Sequence, residues 1–305
     1  MRGKGAPHLD VDISSARARL AGVIARTPLA PFPDARFELR LKLECQQVTG
    51  SFKARGAWNH AAQLAPGTPV VTVSSGNHGK ALAWAAERRG LRATIVMPHD
   101  AYPNKIAACR EHGAEVVLAR TRLEGEELAK ERAGEGAVFV PPYDHERTIE
   151  GQGTVGLEIL EDWPEVECVL VPVGGGGLIS GCAIALPGKR VLGVEPAGAP
   201  KMTRALERGE PVRVESTTRV QGLSPPAVSA LTLGIVRSLV ERVFTLEDDA
   251  IFAAQAELVR SGLTVEPAGA AAFALARSGL VQASRIAVVV SGGNPDPAQL
   301  ASLRR

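Results

Sequence analysis

The chain has 305 residues, of which 45% are hydrophobic and 22% are charged, and its formal net charge is +2. This nearly neutral balance, without any dense run of lysine and arginine, argues against a nucleic-acid-binding surface. No uninterrupted apolar stretch reaches the roughly 20 residues of a membrane span, and the polar first residues, MRGKGAPHLDVD, lack the apolar core of a secretion signal. The four cysteines are scattered without metal-type spacing, so we expect reduced thiols in a cytoplasmic protein.

Short apolar runs alternate with amphipathic stretches along most of the chain. The runs are rich in Val and Ile and bounded by Gly, Pro or charged residues, which predicts strands at 37–43, 69–73, 93–97, 114–118, 138–141, 168–173, 190–194 and 286–290. The amphipathic stretches predict helices at 53–64, 78–89, 104–112, 123–132, 149–162, 229–240 and 248–261. Continuous apolar strands suit a parallel sheet that is buried on both faces, and the repeated strand–helix order predicts an α/β fold.

The first of four unusual loops is GSFKARGA, at 50–57, which places Lys53 near the start of a predicted helix. A lysine taken at random is a solvated surface residue. Lys53, however, follows Phe52 and is surrounded by small residues, and the partial positive charge of a helix N-terminus lowers a lysine's pKa. A neutral amine is what a Schiff-base lysine needs in order to attack an aldehyde, so Lys53 is a candidate nucleophile.

The second loop, VSSGNHGK at 73–80, crowds two hydroxyls, an amide and an imidazole around two glycines at a strand-to-helix turn. Exposed amides and hydroxyls at the start of a helix bind carboxylates well. Ser75 or Asn77 alone would serve as an ordinary helix cap. Capping does not account for His78 or for both glycines, so the loop is interpreted as a carboxylate-binding site.

The third loop, PVGGGGLISG at 172–181, has four consecutive glycines before a helical segment. Glycine tolerates positive φ and lets backbone amides approach an anion closely, which makes a phosphate the favoured ligand. A dinucleotide-binding turn is the alternative, because Glu195 stands roughly 20 residues further on, where such turns carry an acid. The spacing leaves both interpretations open.

The fourth loop, VVVSGGNPD at 288–296, places Ser291 at the end of a buried strand and before two glycines. SGGN is also good composition for a simple turn. The functional interpretation is a hydroxyl that faces a ring nitrogen. Since ligands gather at the carboxyl ends of parallel strands, we expect the four loops to converge on one site.

These loops, together with IEGQGTVGLEI from Ile149, GVEP from Gly193 and VEPAG from Val265, resemble the fold type II pyridoxal-phosphate enzymes, the group of the tryptophan synthase β-subunit. Within that group the chain is similar to the threonine dehydratase and serine racemase branch. SFKARGA and SSGNHG differ from the lysine motif and the threonine that the related cysteine synthases usually carry. The resemblance extends from Ile24 to the SGGN at Ser291, which is nearly the whole chain.

The resemblance implies pyridoxal phosphate as the cofactor and a small amino acid as the substrate. It implies a two-domain α/β fold with twisted, parallel-type sheets flanked by helices, in which the smaller domain is inserted in the larger one. We place the large, cofactor-binding domain at 1–66 and 139–305, and the small, substrate-closing domain at 67–138. A homodimer is expected from the same resemblance.

Carried over residue by residue, the resemblance implies that Lys53 forms the Schiff base and takes the α-proton, and that Ser75 is a second catalytic residue. The residues expected to bind pyridoxal phosphate are Phe52, Lys53, Asn77, Gly174, Gly175, Gly176, Gly177, Leu178, Gly222, Glu266 and Ser291. Those expected to surround the substrate carboxylate are Ser74, Ser75, Asn77 and His78. Asn77 would bind the ring's phenolic oxygen, the glycine loop the phosphate, and Ser291 the ring nitrogen.

The implied activity is β-elimination from a small hydroxy-amino acid, threonine or serine, which gives a 2-oxo acid and ammonia. A serine racemase is the nearest alternative, because it needs an acid opposite Lys53 and Ser75 matches that acid. A dehydratase of 3-hydroxyaspartate or of another catabolic hydroxy-amino acid is also open. A non-catalytic amino-acid-binding protein is disfavoured, because a sensor does not need the Schiff-base lysine.

Three departures from the family pattern bear on the site. Many relatives hold a cation with a Glu, a backbone carbonyl and an Asp, whereas in this chain Glu195 is present but Lys201 stands at the Asp position. An ammonium group in place of the cation would satisfy Glu195 directly, so we predict that no metal binds there. The other departures, VQG at 220–222 and PPYD at 141–144, lie where the substrate side chain is expected.

Overall fold

The computed structural model describes residues 11–304, which form ten strands and twelve α-helices. The strands are β1 (Leu29–Phe32), β2 (Glu38–Lys42), β3 (Pro69–Val73), β4 (Arg92–Pro98), β5 (Glu115–Ala119), β6 (Val138–Phe139), β7 (Cys168–Pro172), β8 (Arg190–Pro196), β9 (Arg242–Leu246) and β10 (Arg285–Val289). The helices are α1 (Ile13–Leu20), α2 (Lys53–Ala61), α3 (Asn77–Arg89), α4 (Pro103–Arg110), α5 (Arg122–Gly134), α6 (Glu146–Asp162), α7 (Gly177–Ala185), α8 (Lys201–Arg208), α9 (Ala230–Leu239), α10 (Asp248–Arg260), α11 (Pro267–Arg277) and α12 (Pro297–Leu303). Each predicted strand and helix overlaps one of these elements.

The strands form two sheets. The larger sheet has the order β1-β2-β10-β7-β8-β9 and is parallel except for β1, which pairs antiparallel with β2. The smaller sheet, in the order β5-β4-β3-β6, is parallel throughout. The predicted α/β fold with parallel-type sheets is therefore confirmed. Among the helices of residues 11–304, none combines the length and the apolar character that crossing a bilayer requires.

The smaller sheet is built from one continuous segment, residues 69–139, and the larger sheet from strands on both sides of that segment. This order agrees with a unit inserted in the chain, while the division into domains at 67 and 138 stays a prediction. The pairing of Phe139 with Val71 extends the smaller sheet one residue past the predicted boundary. Residues 1–10 and 305 of the predicted large domain lie outside the described range.

The central strands of the larger sheet are buried on both faces. Leu170 of β7 belongs to one buried cluster, which includes Phe273 of α11. Its neighbours Val169 and Val171 belong to a second cluster, which includes Ile179 of α7. Because successive side chains of a strand point to opposite faces, helices on both sides of the sheet produce the continuous apolar runs in the sequence.

The helix that begins at Lys53 is fixed by close packing and by buried charge. A Cβ at Gly151 in α6 would lie 2.5 Å from the Arg55 carbonyl oxygen, so only glycine lets α6 approach α2 this closely. The Arg55 side chain, 1% exposed, donates to both oxygens of Glu44 at 2.7 and 2.8 Å. It also donates to both oxygens of Glu158, at 2.7 and 2.8 Å. These contacts hold the first turn of α2, and therefore Lys53, against the larger sheet.

Replacing Arg55 with Met should destabilise the fold strongly. The substitution leaves the fully buried Glu44 carboxylate without its cation, a loss that costs about 3–5 kcal/mol. Urea unfolding of the purified protein measures this change. The control is Arg26→Met, which removes a pair with Asp162 in which the arginine is 48% exposed, and such pairs contribute about 0–1 kcal/mol. Equal losses in the two variants would show that the buried network does not hold α2.

Candidate active site

One cleft receives the loops that follow β3, β7 and β10, as the sequence predicted for parallel strand ends. The cavity measures about 570 Å³. Every predicted site residue lines it: Phe52, Lys53, Ser74, Ser75, Asn77, His78, Gly174, Gly175, Gly176, Gly177, Leu178, Gly222, Glu266 and Ser291. The structure thus brings the four loops together, while the role of each residue stays a prediction.

Lys53, the first residue of α2, borders the cleft with its amine largely out of water. Its Nζ donates to the Pro142 carbonyl at 2.6 Å. Burial lowers the pKa of Lys53 to about 8, so a larger share of the amine is neutral at physiological pH than for a solvated lysine. The sequence predicts a lowered pKa from the helix N-terminus, but the cause in the structure is burial.

His78 lies beside Lys53 and is neutral. Its Nε2 is 2.9 Å from the Val140 carbonyl oxygen, which can only accept, so Nε2 carries the hydrogen. Burial lowers the pKa of His78 to about 3, and the nearby Lys53 charge lowers it further. Nδ1 is then a buried acceptor without a hydrogen-bond partner among the described residues. The imidazole therefore does not compete for the proton of Lys53.

The first turn of α3 is free to bind an anion. Its N-cap is Gly76, and no side chain caps it, in contrast to α9, which Ser229 caps. Ser75 and Asn77 therefore do not act as ordinary caps, which removes the structural alternative for this loop. Unpaired amides at a helix start bind a carboxylate, and the Ser75 hydroxyl lines the same cleft.

The glycine loop before α7 has the same construction. The N-cap is Gly176 at φ +94°, a conformation that favours glycine, and no side chain caps the helix. A side chain at Gly175 would overlap the ring of Tyr143, whose hydroxyl donates to the Ala227 carbonyl at 3.1 Å. This uncapped turn with room only for glycine fits a phosphate group on the backbone amides.

Three further predicted residues flank the space between Lys53 and the glycine loop. Ser291 is 4% exposed, and its hydroxyl lies 3.4 Å from the Ala268 carbonyl oxygen. A Cβ at Gly222 would lie 2.6 Å from the Cβ of Ala268, so glycine is needed there. Burial raises the pKa of Glu266 to about 7, while its hydrogen bond from Asn77 and two lysines oppose that shift.

Glu195, which left the dinucleotide alternative open in the sequence, does not reach the cleft. The residue is fully buried, and its carboxylate accepts from the backbone amides of Met202 at 3.0 Å and Thr203 at 2.7 Å. It therefore caps α8 and is not placed to bind a ribose. The glycine loop fits a phosphate, without the acid that a dinucleotide turn would need.

Lys201 occupies the space next to Glu195. Its fully buried Nζ lies 3.3 Å from a Glu195 oxygen and donates to the carbonyls of Val173, Ala199 and Leu223 at 3.2, 3.0 and 2.9 Å. Burial lowers the pKa of Lys201, and the Glu195 carboxylate opposes this shift. Val173 precedes the glycine loop and Leu223 follows Gly222, so the ammonium joins two segments of the cleft. The absence of a divalent metal stays a prediction.

Sequence reasoning missed several residues of the cleft. Asn294, Lys105 and Arg219 also line it, and none of them was singled out. Asn294 stands inside the SGGN motif that begins at Ser291, so its position was visible there. The other two follow apolar segments and carry no motif of their own.

Comparison with known proteins agrees with this geometry. The chain matches, over residues 20–292, the family described as pyridoxal-phosphate dependent enzyme, and it belongs to that family. It is 40% identical to the L-threonine ammonia-lyase of Thermotoga maritima over 93% of this chain and 75% of that protein. Its fold is similar to that of a solved threonine deaminase from the organism abbreviated T.th., with a TM-score of 0.87, 38% identity and coverage of 93% and 98%. It is also similar to maize serine racemase, with a TM-score of 0.92, 36% identity and coverage of 98% and 97%.

Replacing Lys201 with Met should weaken both the fold and cofactor binding. The change leaves three carbonyls and the Glu195 carboxylate without their donor, which costs about 3–5 kcal/mol in unfolding free energy. Because two of those carbonyls adjoin the glycine loop and Gly222, the dissociation constant for pyridoxal phosphate should rise at least about tenfold, a difference of about 1.4 kcal/mol. Urea unfolding and titration of the visible absorbance measure the two effects.

The matched control is Lys189→Met, since the bond from Lys189 to the Pro164 carbonyl is exposed to solvent. This variant should behave like the unmodified protein. A chelator should change neither the melting temperature nor the cofactor absorbance of the unmodified protein. Loss of that absorbance with a chelator, reversed by magnesium or calcium, would contradict the prediction that no metal binds beside Glu195.

Proposed function

We propose that the protein converts L-threonine or L-serine into a 2-oxo acid and ammonia by eliminating water. The observation that carries this proposal is the amine of Lys53, whose pKa burial lowers to about 8, in one cleft with two uncapped helix N-termini. One of those termini fits the cofactor phosphate and the other fits a substrate carboxylate. Two of the similar proteins described above, an ammonia-lyase and a deaminase, carry threonine in their names.

Pyridoxal phosphate, when bound, supplies an aldehyde for the substrate's amino group and a ring that withdraws electrons from the α-carbon. Lys53 and Phe52, the loop of Gly174–177 with Leu178, and Ser291 would hold it. A neutral serine hydroxyl at the ring nitrogen does not enforce its protonation as a carboxylate would, which favours loss of a β-substituent over further delocalisation. The cofactor residues already fit the group, because the α7 turn is uncapped and Gly176 has a positive φ.

The chain's own residues supply placement and proton transfer. The first-turn amides of α3, with the hydroxyls of Ser74 and Ser75, would bind the substrate carboxylate and so fix the α-carbon near Lys53. The neutral Nζ of Lys53 would take the α-proton. The substrate loses water and regains it when ammonia is released, so the net products are one 2-oxo acid and one ammonia. His78, neutral in this site, would leave the proton on Lys53.

Serine racemisation is a second candidate function. It requires a proton donor on the face opposite Lys53, and the Ser75 hydroxyl lines the same cleft. The similarity to maize serine racemase supports this candidate. A dehydratase of 3-hydroxyaspartate remains a narrower alternative, because the VQG and PPYD departures border the substrate space. The presence of Lys53 still disfavours a non-catalytic binding protein.

We further propose that the enzyme is a cytoplasmic homodimer, an expectation that rests on the family resemblance. We also propose that residues 67–138 form a small domain, which substrate binding draws toward the large domain at 1–66 and 139–305. The carboxylate-binding turn of α3 lies in the smaller sheet's segment, while Lys53 and Ser291 adjoin the larger sheet. Closure of this kind would exclude water from the reacting atoms.

Purified protein loaded with pyridoxal phosphate should form 2-oxo acid and ammonia from L-threonine and L-serine. Lys53→Ala should lower the rate at least about 100-fold, because general bases contribute roughly 10²–10⁴-fold. Chiral analysis of residual serine tests the alternative in the same reaction. If D-serine forms, and Ser75→Ala abolishes it but spares the 2-oxo acid, the racemase function is supported. Absence of product from both substrates would contradict the proposal.

A further inference from the structure

The amide of Asn294 lies at the meeting point of three segments around the cleft. Its Nδ2 donates to Asn77 Oδ1 at 2.7 Å and to the Thr49 carbonyl at 3.0 Å. Its Oδ1 accepts from Lys80 Nζ at 3.2 Å. Thr49 precedes the lysine loop, Asn77 and Lys80 belong to the first turn of α3, and Asn294 follows β10. One side chain therefore joins the smaller sheet's helix to two loops of the larger sheet.

The partners of Asn294 fix which way its amide points. The two ends of an amide are alike in size, so its orientation follows from the donors and acceptors around it. The Thr49 carbonyl can only accept and the Lys80 ammonium can only donate. The nitrogen of Asn294 must therefore face Thr49 and the oxygen must face Lys80. This leaves the second Nδ2 hydrogen for Asn77 Oδ1.

The orientation is passed on to Asn77. Because Asn77 Oδ1 accepts from Asn294, its Nδ2 is on the opposite side, where it donates to Glu266 Oε1 at 2.5 Å. One hydrogen of that Nδ2 has no protein partner in these contacts. Asn77, which lines the cleft, thus offers a hydrogen-bond donor to the cavity and keeps its acceptor occupied.

Two glycines make room for this arrangement. A Cβ at Gly50 would lie 2.5 Å from Asn294 Oδ1, and Gly50 also has φ +77°. A Cβ at Gly292 would overlap Glu266 Oε1. The backbone is therefore free of side chains at both ends of the chain of hydrogen bonds.

We propose that Asn294 is a positioning residue, which holds the Asn77 amide with its nitrogen toward the phenolic oxygen of the cofactor. This inference rests on the proposed function, since it assumes that pyridoxal phosphate binds in the cleft. A deprotonated phenolic oxygen needs a donor, and a rotated Asn77 would present its carbonyl oxygen instead. Lys80 assists because it fixes the oxygen end of Asn294.

The test compares Asn294→Asp with Asn104→Asp, both loaded with pyridoxal phosphate. Asn294→Asp keeps the shape and the acceptor for Lys80 but replaces the donor to Asn77 with an oxygen. Asn104→Asp makes the same chemical change at an exposed position that lines the cleft. Titration of the visible absorbance gives the cofactor dissociation constant and the band position, and steady-state kinetics give kcat and KM separately.

We expect Asn294→Asp to raise the cofactor dissociation constant at least tenfold, to shift the visible band, and to lower kcat with KM within about twofold. Asn104→Asp should leave the dissociation constant and the band within twofold and unshifted, respectively. An unshifted band and an unchanged dissociation constant in Asn294→Asp would overturn the inference. If the unmodified protein formed no visible band at all, the proposed function itself would fail, which is a distinguishable result.

A second pair of variants decides the matter if Asn294→Asp does not fold. Lys80→Met removes the donor that fixes Asn294 Oδ1, and Lys80→Arg keeps a donor there. We expect a shifted band and weaker cofactor binding in Lys80→Met, with both restored in Lys80→Arg. Identical behaviour of the two variants would overturn the role of the hydrogen-bond chain.

Discussion

The exclusion of one lysine amine from water is the constraint on which the site depends. A buried ammonium is costly, so the protein lowers the pKa of Lys53 to about 8 by giving its Nζ one backbone carbonyl and no counter-charge. The neighbouring charges are treated differently. Arg55, two residues further along α2, is fully paired with Glu44 and Glu158, so this charged residue anchors the helix while Lys53 stays reactive.

Anion binding uses a second device, which the chain repeats. Both α3 and α7 begin at a glycine that follows a parallel strand, and no side chain caps either helix. Elsewhere α1, α5 and α9 have capping side chains from Asp12, Thr121 and Ser229. Helix starts without caps are therefore placed at the cleft, where a carboxylate and a phosphate would take the role of the missing caps. The buried Lys201 then holds the glycine loop and the Gly222 turn in register.

Most of the fold could be predicted because buried parallel strands leave continuous apolar runs. The missed strands lie at the two edges of the larger sheet: β1 is antiparallel and contains Pro31, and β9 is partly exposed. Helix α11 was missed because it is buried almost all around, so its sequence has no polar face.

The site loops were predictable because strand ends converge, and the resemblance assigned their roles. The hydrogen bond between Asn77 and Asn294 was not predictable, since it joins residues 217 positions apart in separate segments. Likewise, the sequence showed Glu195 and Lys201 at suggestive positions. Only the structure placed the ammonium among three carbonyls and showed that the carboxylate caps α8. Contacts of this kind depend on tertiary packing, which local patterns do not encode.

Borohydride reduction of the protein after incubation with pyridoxal phosphate tests the central claim most directly. If the amine of residue 53 captures the aldehyde, a visible absorbance band forms, reduction removes it, and mass spectrometry finds one reduced cofactor on the peptide that contains Lys53. The account is contradicted if no band forms, or if the label is found not on Lys53 but on Lys105, which also lines the cleft, or on Lys80, which contacts Asn294 at its edge.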